Sequence, residues 1–273
     1  DFLLNPKVRN NSESNPAQIL NSRANNAVIE STWRGFGFVN DGWVTSDFDK
    51  QKILRIPAGA KLNFKYNPFA QFLTTADSAM TLELDFAVRN ITNEDEPIIS
   101  VCETLGSLFR GLRLKPMSGN VFTKSNTVDS ETDFSWSEGV RTHLVINIHN
   151  AVAPNKGDVV VPEASTGLAV SATKIALVRI FVNGDCEREL KFSITDTEEF
   201  GTSTMGNGGF TLGQNGADLD VYSIRCYQNT ALDATEVLNN YISTLPTTIE
   251  KVARRKANDI LTSGKVDIEK VKK

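Results

Sequence analysis

The sequence predicts an all-β domain closed by one short helix, and three stretches carry that expectation. The first is Met80 to Arg89, where Leu82, Leu84, Phe86 and Val88 alternate with Thr81, Glu83, Asp85 and Ala87, the period-2 signature of a strand with one core face. The second is Lys174 to Phe192, in which two β-rich runs meet at Asn183-Gly184, a pair that tolerates the positive φ angles of a type I′ hairpin turn. The third is Phe210 to Tyr241, where a strand pattern runs straight into a helix start. There Asp233 is placed at the N-cap, Glu236 as its capping-box partner, and Leu232 against Val237 as a hydrophobic staple.

Composition sets the outer bounds. The 273 residues are 40% hydrophobic and 23% charged with a formal net charge of -4, enough apolar material for one large core and no positive excess to hold a polyanion. Nucleic acid is therefore not an expected partner. No run of 18 apolar residues exists, so no membrane-spanning helix is expected. Cys102, Cys186 and Cys226 are odd in number and widely spaced, which reads as three unpaired strand cysteines and not as a disulfide framework or a zinc site.

In chain order, residues 1–28 are read as a polar extension or linker, KVRNNSESNPA showing no periodicity. The N-terminus has neither an initiator Met nor a signal-peptide pattern, so a fragment or processed product is expected, with an extracellular or virion-surface setting favoured. Short strands are expected near 36–39, 52–56 and 61–66, with a turn at Pro57-Ala58-Gly59. Further strands are expected at 97–102, 111–115 and 121–124, with turn material at 117–120 between the last two. Thr142 to Asn150 alternates again. The stretch 151–173 is longer than a connection needs and is expected to be an insertion or binding loop, with its own short strand at 158–161. Residues 246–273 turn to a helical pattern, Ile249, Val252, Ala253, Ile260 and Leu261 among cations, and are expected to lead into a further domain.

The run Ile224-Arg225-Cys226-Tyr227, followed by a capped helix ending in Asn240-Tyr241, resembles the last strand of laminin-G-like and concanavalin-A-like domains. The Val182-Asn183-Gly184 hairpin resembles the one that accompanies it. The resemblance covers roughly residues 30–245. It implies a two-sheet antiparallel jelly-roll sandwich spanning 29–245, of a kind that binds glycans or protein surfaces. A shorter likeness, at Asn258-Asp259-Ile260 and Lys265-Val266, is to segments that follow such modules in large gut-phage structural proteins of the tail or fibre.

The same architecture carries a glycosidase alternative. Family 16-type β-glucanases use Glu-x-Asp-x-x-Glu, because retaining hydrolysis needs a nucleophile and a proton donor about 5 Å apart. Glu83-Leu84-Asp85 is similar to the first half, but position 88 is Val, so the third acid is missing and no enzyme is expected. Glu83 and Asp85 are then expected on a solvated or ligand-facing strand surface. His143 and His149, six residues apart on one strand, lie roughly 20 Å apart at ~3.3 Å per residue, too far to share a metal, and are read as surface or partly packed side chains.

Ligand contacts are expected from Trp33, Trp43 and Trp136, whose indoles can offer a flat apolar face to a pyranose, with Asp41 in the turn before Trp43 bonding its hydroxyls. The alternative is that these tryptophans close the ends of the sandwich. No cofactor is required, although calcium is possible: many laminin-G-like relatives carry an acidic residue where this chain has Tyr222, while Asp218 and Asp220 remain as oxygen ligands. Two functions are carried forward. One is a non-catalytic module binding a glycan, a cell-surface polysaccharide or a protein surface. The other is a structural module packed against neighbouring subunits of a virion.

Overall fold

The computed structural model describes residues 2–6, 18–21, 27–34, 42–64, 79–101, 111–122, 134–152, 174–194 and 210–245. The elements formed by these residues are β1 (Phe2–Leu4), β2 (Gln18–Asn21), β3 (Ala27–Arg34), β4 (Trp43–Thr45), β5 (Lys52–Ile56), β6 (Lys61–Phe64), β7 (Ala79–Arg89) and β8 (Ile99–Val101). They continue with β9 (Gly111–Leu114), β10 (Ser118–Phe122), β11 (Phe134–Ser135), β12 (Thr142–Val152), β13 (Lys174–Val182), β14 (Asp185–Ile194), β15 (Phe210–Leu212), β16 (Asp218–Gln228) and α1 (Ala234–Thr244).

The strands build two antiparallel sheets, a β-sandwich. The first runs β14-β13-β12-β7-β16-β5-β4, and β1 shares the β16 edge with β5. That sharing is possible because β5 pairs with Leu219–Val221 and β1 with Ile224–Cys226, opposite halves of one long strand. The second runs β11-β10-β9-β8-β15-β6-β3-β2. Between them lies a continuous apolar core. Leu82, Leu84 and Phe86 of β7 and Leu144 and Ile146 of β12 form one side of it, and Leu62, Phe64, Leu114, Phe210 and Leu212 the other. Phe64 stacks on Phe210 at 5.4 Å, so the second sheet is tied across β6 and β15 by aromatic contact as well as by its ladder.

The local devices read from the sequence are present. Asn183 and Gly184 both have positive φ, 53° and 87°, as the hairpin turn between β13 and β14 requires. Glu236 N–H donates to Asp233 Oδ1 at 2.8 Å and Asp233 N–H to Glu236 Oε2 at 2.9 Å, a complete capping box, and Leu232 and Val237 pack in one buried cluster.

Two expectations are corrected. β10 begins at Ser118, inside the stretch read as a turn, because Lys115 N–H closes a tight connection on Ser118 O at 2.7 Å and leaves residues 118–122 free to pair. β7 has not one buried face but two: Thr81, Glu83, Asp85 and Ala87 are buried together with the apolar set. Of the expected loop 151–173, residues 151 and 152 belong to β12; its remainder, the expected strands at 36–39 and 158–161, Cys102 and the C-terminal helix from 247 lie outside the described residues.

Candidate functional site

The outer face of the first sheet, turned away from the second, is where the sequence places its charge. On β7 that face takes Thr81, Glu83, Asp85 and Ala87; on β12 it takes His143, Val145 and Asn147. On β16 an irregularity between Val221 and Ser223 switches the alternation. Leu219 and Val221 point into the core before it, Ile224 and Cys226 after it, so Asp220, Tyr222, Arg225 and Tyr227 all come to the outer face. Without that extra residue Arg225 would share the parity of Val221 and enter the core.

Glu83 is the hub. Its Oε1 accepts from Arg225 Nη1 and from His143 Nε2, both at 2.8 Å; its Oε2 accepts from the Tyr227 hydroxyl at 3.0 Å and Asn240 Nδ2 at 3.1 Å. Burial pushes the Glu83 carboxyl up, but the hydrogen bond from His143 and the charge of Arg225 outweigh it and hold the group below the usual carboxylate range. Tyr227 keeps its proton because burial and the Glu83 charge raise it. Asn240 lies on α1, so the carboxylate also ties the helix to the sheet. A second polar tie sits just before the helix: Leu232 N–H donates to Thr81 Oγ1 at 3.1 Å, and Asn147 Nδ2 donates to Leu232 O.

Asp85, two residues along β7, forms a bidentate pair with Arg141, Nε to Oδ1 at 2.7 Å and Nη2 to Oδ2 at 2.5 Å. Arg141 Nη1 reaches Asp49 Oδ2 at 3.0 Å, and the guanidinium lies 4.0 Å from the centre of the Tyr222 ring. Burial draws Arg141 down, but the hydrogen bond and charge of Asp85, with the charge of Asp49, more than reverse this and keep it protonated. Farther along, the fully buried Asp220 is held by Arg55, through Nε at 2.7 Å and Nη2 at 2.9 Å, and by Arg89 Nε at 3.0 Å.

Above Asp85 and Arg141 the surface opens into a cleft of about 320 Å³. Asp49, Asp85, Arg141 and His143 form its polar part. Phe48 and Val140 stand at its rim with 70% and 50% of their surface exposed, and Tyr241, Thr244 and Leu245 from the end of α1 complete it. The Tyr241 ring lies 5.8 Å from that of His143.

The structure redistributes the residues singled out in the sequence. Glu83 and Asp85 are not on a solvated surface: they are 1% and 2% exposed, because α1, the 46–50 turn and the matching arginines cover that face. Of the two, Asp85 alone lines the cleft. His143, read as a surface or partly packed side chain, is 1% exposed for the same reason. Trp136 is a core residue and no sugar platform: its ring meets Phe86 edge-on at 5.2 Å and its Nε1 donates to Pro116 O at 2.8 Å. Trp43 is half-buried against the core from β4. Trp33 pairs with Leu62 in the β3–β6 ladder, where only its backbone is described, and Asp41 lies outside the described residues.

Asp218 and Asp220, the expected oxygen ligands for calcium, are both engaged within the protein. Asp220 spends both oxygens on guanidinium groups, while Asp218 accepts from Ala58 N–H at 2.8 Å and Asn90 Nδ2 at 2.7 Å. Among the described residues no group of three or more acidic, His or Cys side chains is placed to hold a metal ion, and no helix is long and apolar enough to cross a membrane. Sequence reasoning singled out neither Asp49 nor Arg141, and Tyr241 only as the end of the capped helix. A signal for Arg225 was present in the parity switch between Val221 and Ile224; none exists for Asp49 and Arg141, which lie in turns joined to the site only by folding.

No protein-family model matches the sequence, and no curated protein matches it. Solved structures do resemble it in fold. They include the binding domain of Paraclostridial Mosquitocidal Protein 1, at 14% identity over 89% of this chain and 51% of that one, with a TM-score of 0.47. The botulinum neurotoxin serotype D binding domain is 12% identical over 84% and 52%, with a TM-score of 0.47. Domain 4 of AbnA, an extracellular arabinanase from Geobacillus stearothermophilus solved with arabinotriose, is 14% identical over 77% and 87%, with a TM-score of 0.44. The chain spans about half the length of the toxin domains it matches.

Proposed function

We propose that this chain is a non-catalytic binding module of a larger protein, a laminin-G-like or concanavalin-A-like sandwich that takes a glycan into the cleft beside Arg141. The observation that carries the reading is the cleft itself: a floor of polar groups already fixed by their own ion pairs, under a rim from which Phe48 projects 70% exposed. Preset polar groups orient hydroxyls, and an aromatic face covers the C–H side of a sugar ring. A volume of about 320 Å³ suits a sugar residue or two at the small end of ligand clefts.

The missing proton donor supports the non-catalytic reading. Retaining hydrolysis needs one carboxyl group that holds a proton for the leaving group. Glu83 accepts four hydrogen bonds and stays ionised, so it cannot stand in for that donor. Position 88, where the glucanase pattern has its second Glu, is a Val buried in the core.

A glycan-array screen of the intact chain tests the proposal, with Phe48→Ala as the comparison, since a side chain this exposed can be removed with little loss of stability. Binding by the parent that falls at least tenfold in the variant supports it. No binding to any glycan sinks it and leaves the rival, a virion assembly module engaged only by neighbouring subunits.

A further inference from the structure

The charges and hydrogen-bonding groups in the cleft point to the kind of sugar it takes, an inference that rests on the glycan-binding reading above. We infer that the cleft recognises an amino sugar through its free ammonium group. The charged side chains lining it are Asp49, Asp85 and Arg141: two carboxylates face one guanidinium, so the floor carries an uncompensated negative charge. Asp85 is satisfied by the bidentate contact with Arg141. Asp49 receives a single Arg141 nitrogen, at Oδ2, while its Oδ1 accepts from Gln51 N–H at 3.2 Å. The surplus charge therefore sits on the Asp49 side, next to Phe48.

A second observation is independent of the acids. His143 lines the cleft and is 99% buried. Its Nε2 is committed to Glu83, and its Nδ1 has no hydrogen-bond partner among the described residues. Buried polar atoms without partners are rare enough to require an explanation. Glu83, ionised, only accepts, so Nε2 bears the hydrogen, and Nδ1 is left as a buried polar atom open to a ligand group. The Asp49 side of the cleft thus asks for donors, and His143 Nδ1 for a polar partner such as a hydroxyl. Phe48 and Tyr241 add ring faces, which attract a cation and also pack on apolar C–H groups.

A ligand that meets these demands at once has N⁺–H and O–H donors on a body with an apolar face, as a deacetylated hexosamine does. An N-acetyl group removes the charge, and a sialic acid adds a carboxylate to a floor that is already negative; both are disfavoured.

Calorimetric titration of the intact chain with glucosamine oligomers tests this. The same titration is made with three comparison ligands: equal-length N-acetylglucosamine oligomers, equal-length neutral glucose oligomers and a sialylated oligosaccharide. Glucosamine oligomers are expected to bind at least tenfold tighter than any of the three, and Asp49→Asn is expected to erase that preference. The ligand series needs no variant, so it stands even if Asp49→Asn folds poorly. Equal or tighter binding of the acetylated, neutral or anionic sugars overturns the ammonium inference while leaving a glycan module in place. Failure of every sugar overturns both, and binding confined to a lysine-bearing peptide does the same.

Discussion

Replacing Glu83 by Gln tests the central claim about the outer face of the first sheet, that one ionised carboxylate holds strand and helix together. The amide keeps the shape and one carbonyl oxygen, so the bonds from Arg225 Nη1 and His143 Nε2 survive as neutral-acceptor bonds. The new NH₂ group faces the Tyr227 hydroxyl and the Asn240 amide, both of which can turn to accept. Hydrogen bonds to a charged group contribute about 1.5–3 kcal/mol against about 0.5–1.5 kcal/mol for neutral ones, a loss of about 1–1.5 kcal/mol per bond and so at most about 4–6 kcal/mol over the four. The upper end is limited by Arg225, whose side chain is 28% exposed and partly recovers water. The melting temperature is expected to fall in proportion.

The pH dependence fixes the mechanism. Glu83 is held below its unfolded value of about 4.3, so its contribution is fully present above that pH and disappears as pH falls through the lower folded value. Urea unfolding of both proteins should therefore give a constant gap from pH 5 to 7 that closes in stronger acid. A gap under about 0.5 kcal/mol at pH 7, against a typical destabilisation near 1 kcal/mol for any point change, or a gap that widens as pH falls, would refute the reasoning.

Two further changes probe how α1 is held. Asp233→Ala removes the N-cap and should cost about 1 kcal/mol. Because Asp233 and Glu236 serve each other's N–H groups, adding Glu236→Ala should cost less than the two single effects combined, read by urea unfolding. Gly184→Ala strains a residue at φ +87° and brings its methyl within 2.9 Å of Leu238 Cδ1 and 3.0 Å of Tyr241 Cδ1. A cost of about 1–3 kcal/mol is expected, with hydrogen exchange in α1 rising more than in β7; equal changes in both would contradict it.

The fold was readable because its evidence is local. The alternation of residues 80–89, the Asn183-Gly184 turn and the Asp233–Glu236 box each depend on neighbours within a few positions, and each forms the strand, turn or cap read from it. The candidate site was not readable in the same way, because its partners are far apart: Asp85 meets Arg141 across 56 positions and Glu83 meets Arg225 across 142. A polar residue alternating with apolar ones reads as solvent-facing unless something is known to cover it, and here the cover is α1 and the 46–50 turn. Trp136 was ambiguous for a different reason. An indole serves equally as a sugar platform or as a plug at the end of a sandwich, and here it reaches over Phe86 and satisfies its N–H on Pro116 O.

The irregularity in β16 joins these two levels. A strictly alternating β16 that sends Leu219 and Val221 inward would also bury Arg225 between the sheets, at the cost of stranding a guanidinium in a wholly apolar core. Two consecutive outward residues, Tyr222 and Ser223, let the strand bury Ile224 and Cys226 and deliver Arg225 to Glu83. The same step leaves Tyr222 under Arg141, where the ring supports the guanidinium that binds Asp85 and Asp49. One inserted position therefore sets both the carboxylate hub beneath α1 and the floor of the cleft beside it. Deleting Ser223 should shift Arg225 toward the core and abolish folding, whereas deleting a residue in the exposed turn at Asp47 should leave the sandwich folded and disturb only the cleft. Circular dichroism melts of the two deletions separate these outcomes, and a folded protein lacking Ser223 would show that the strand can restore its own register without the extra residue.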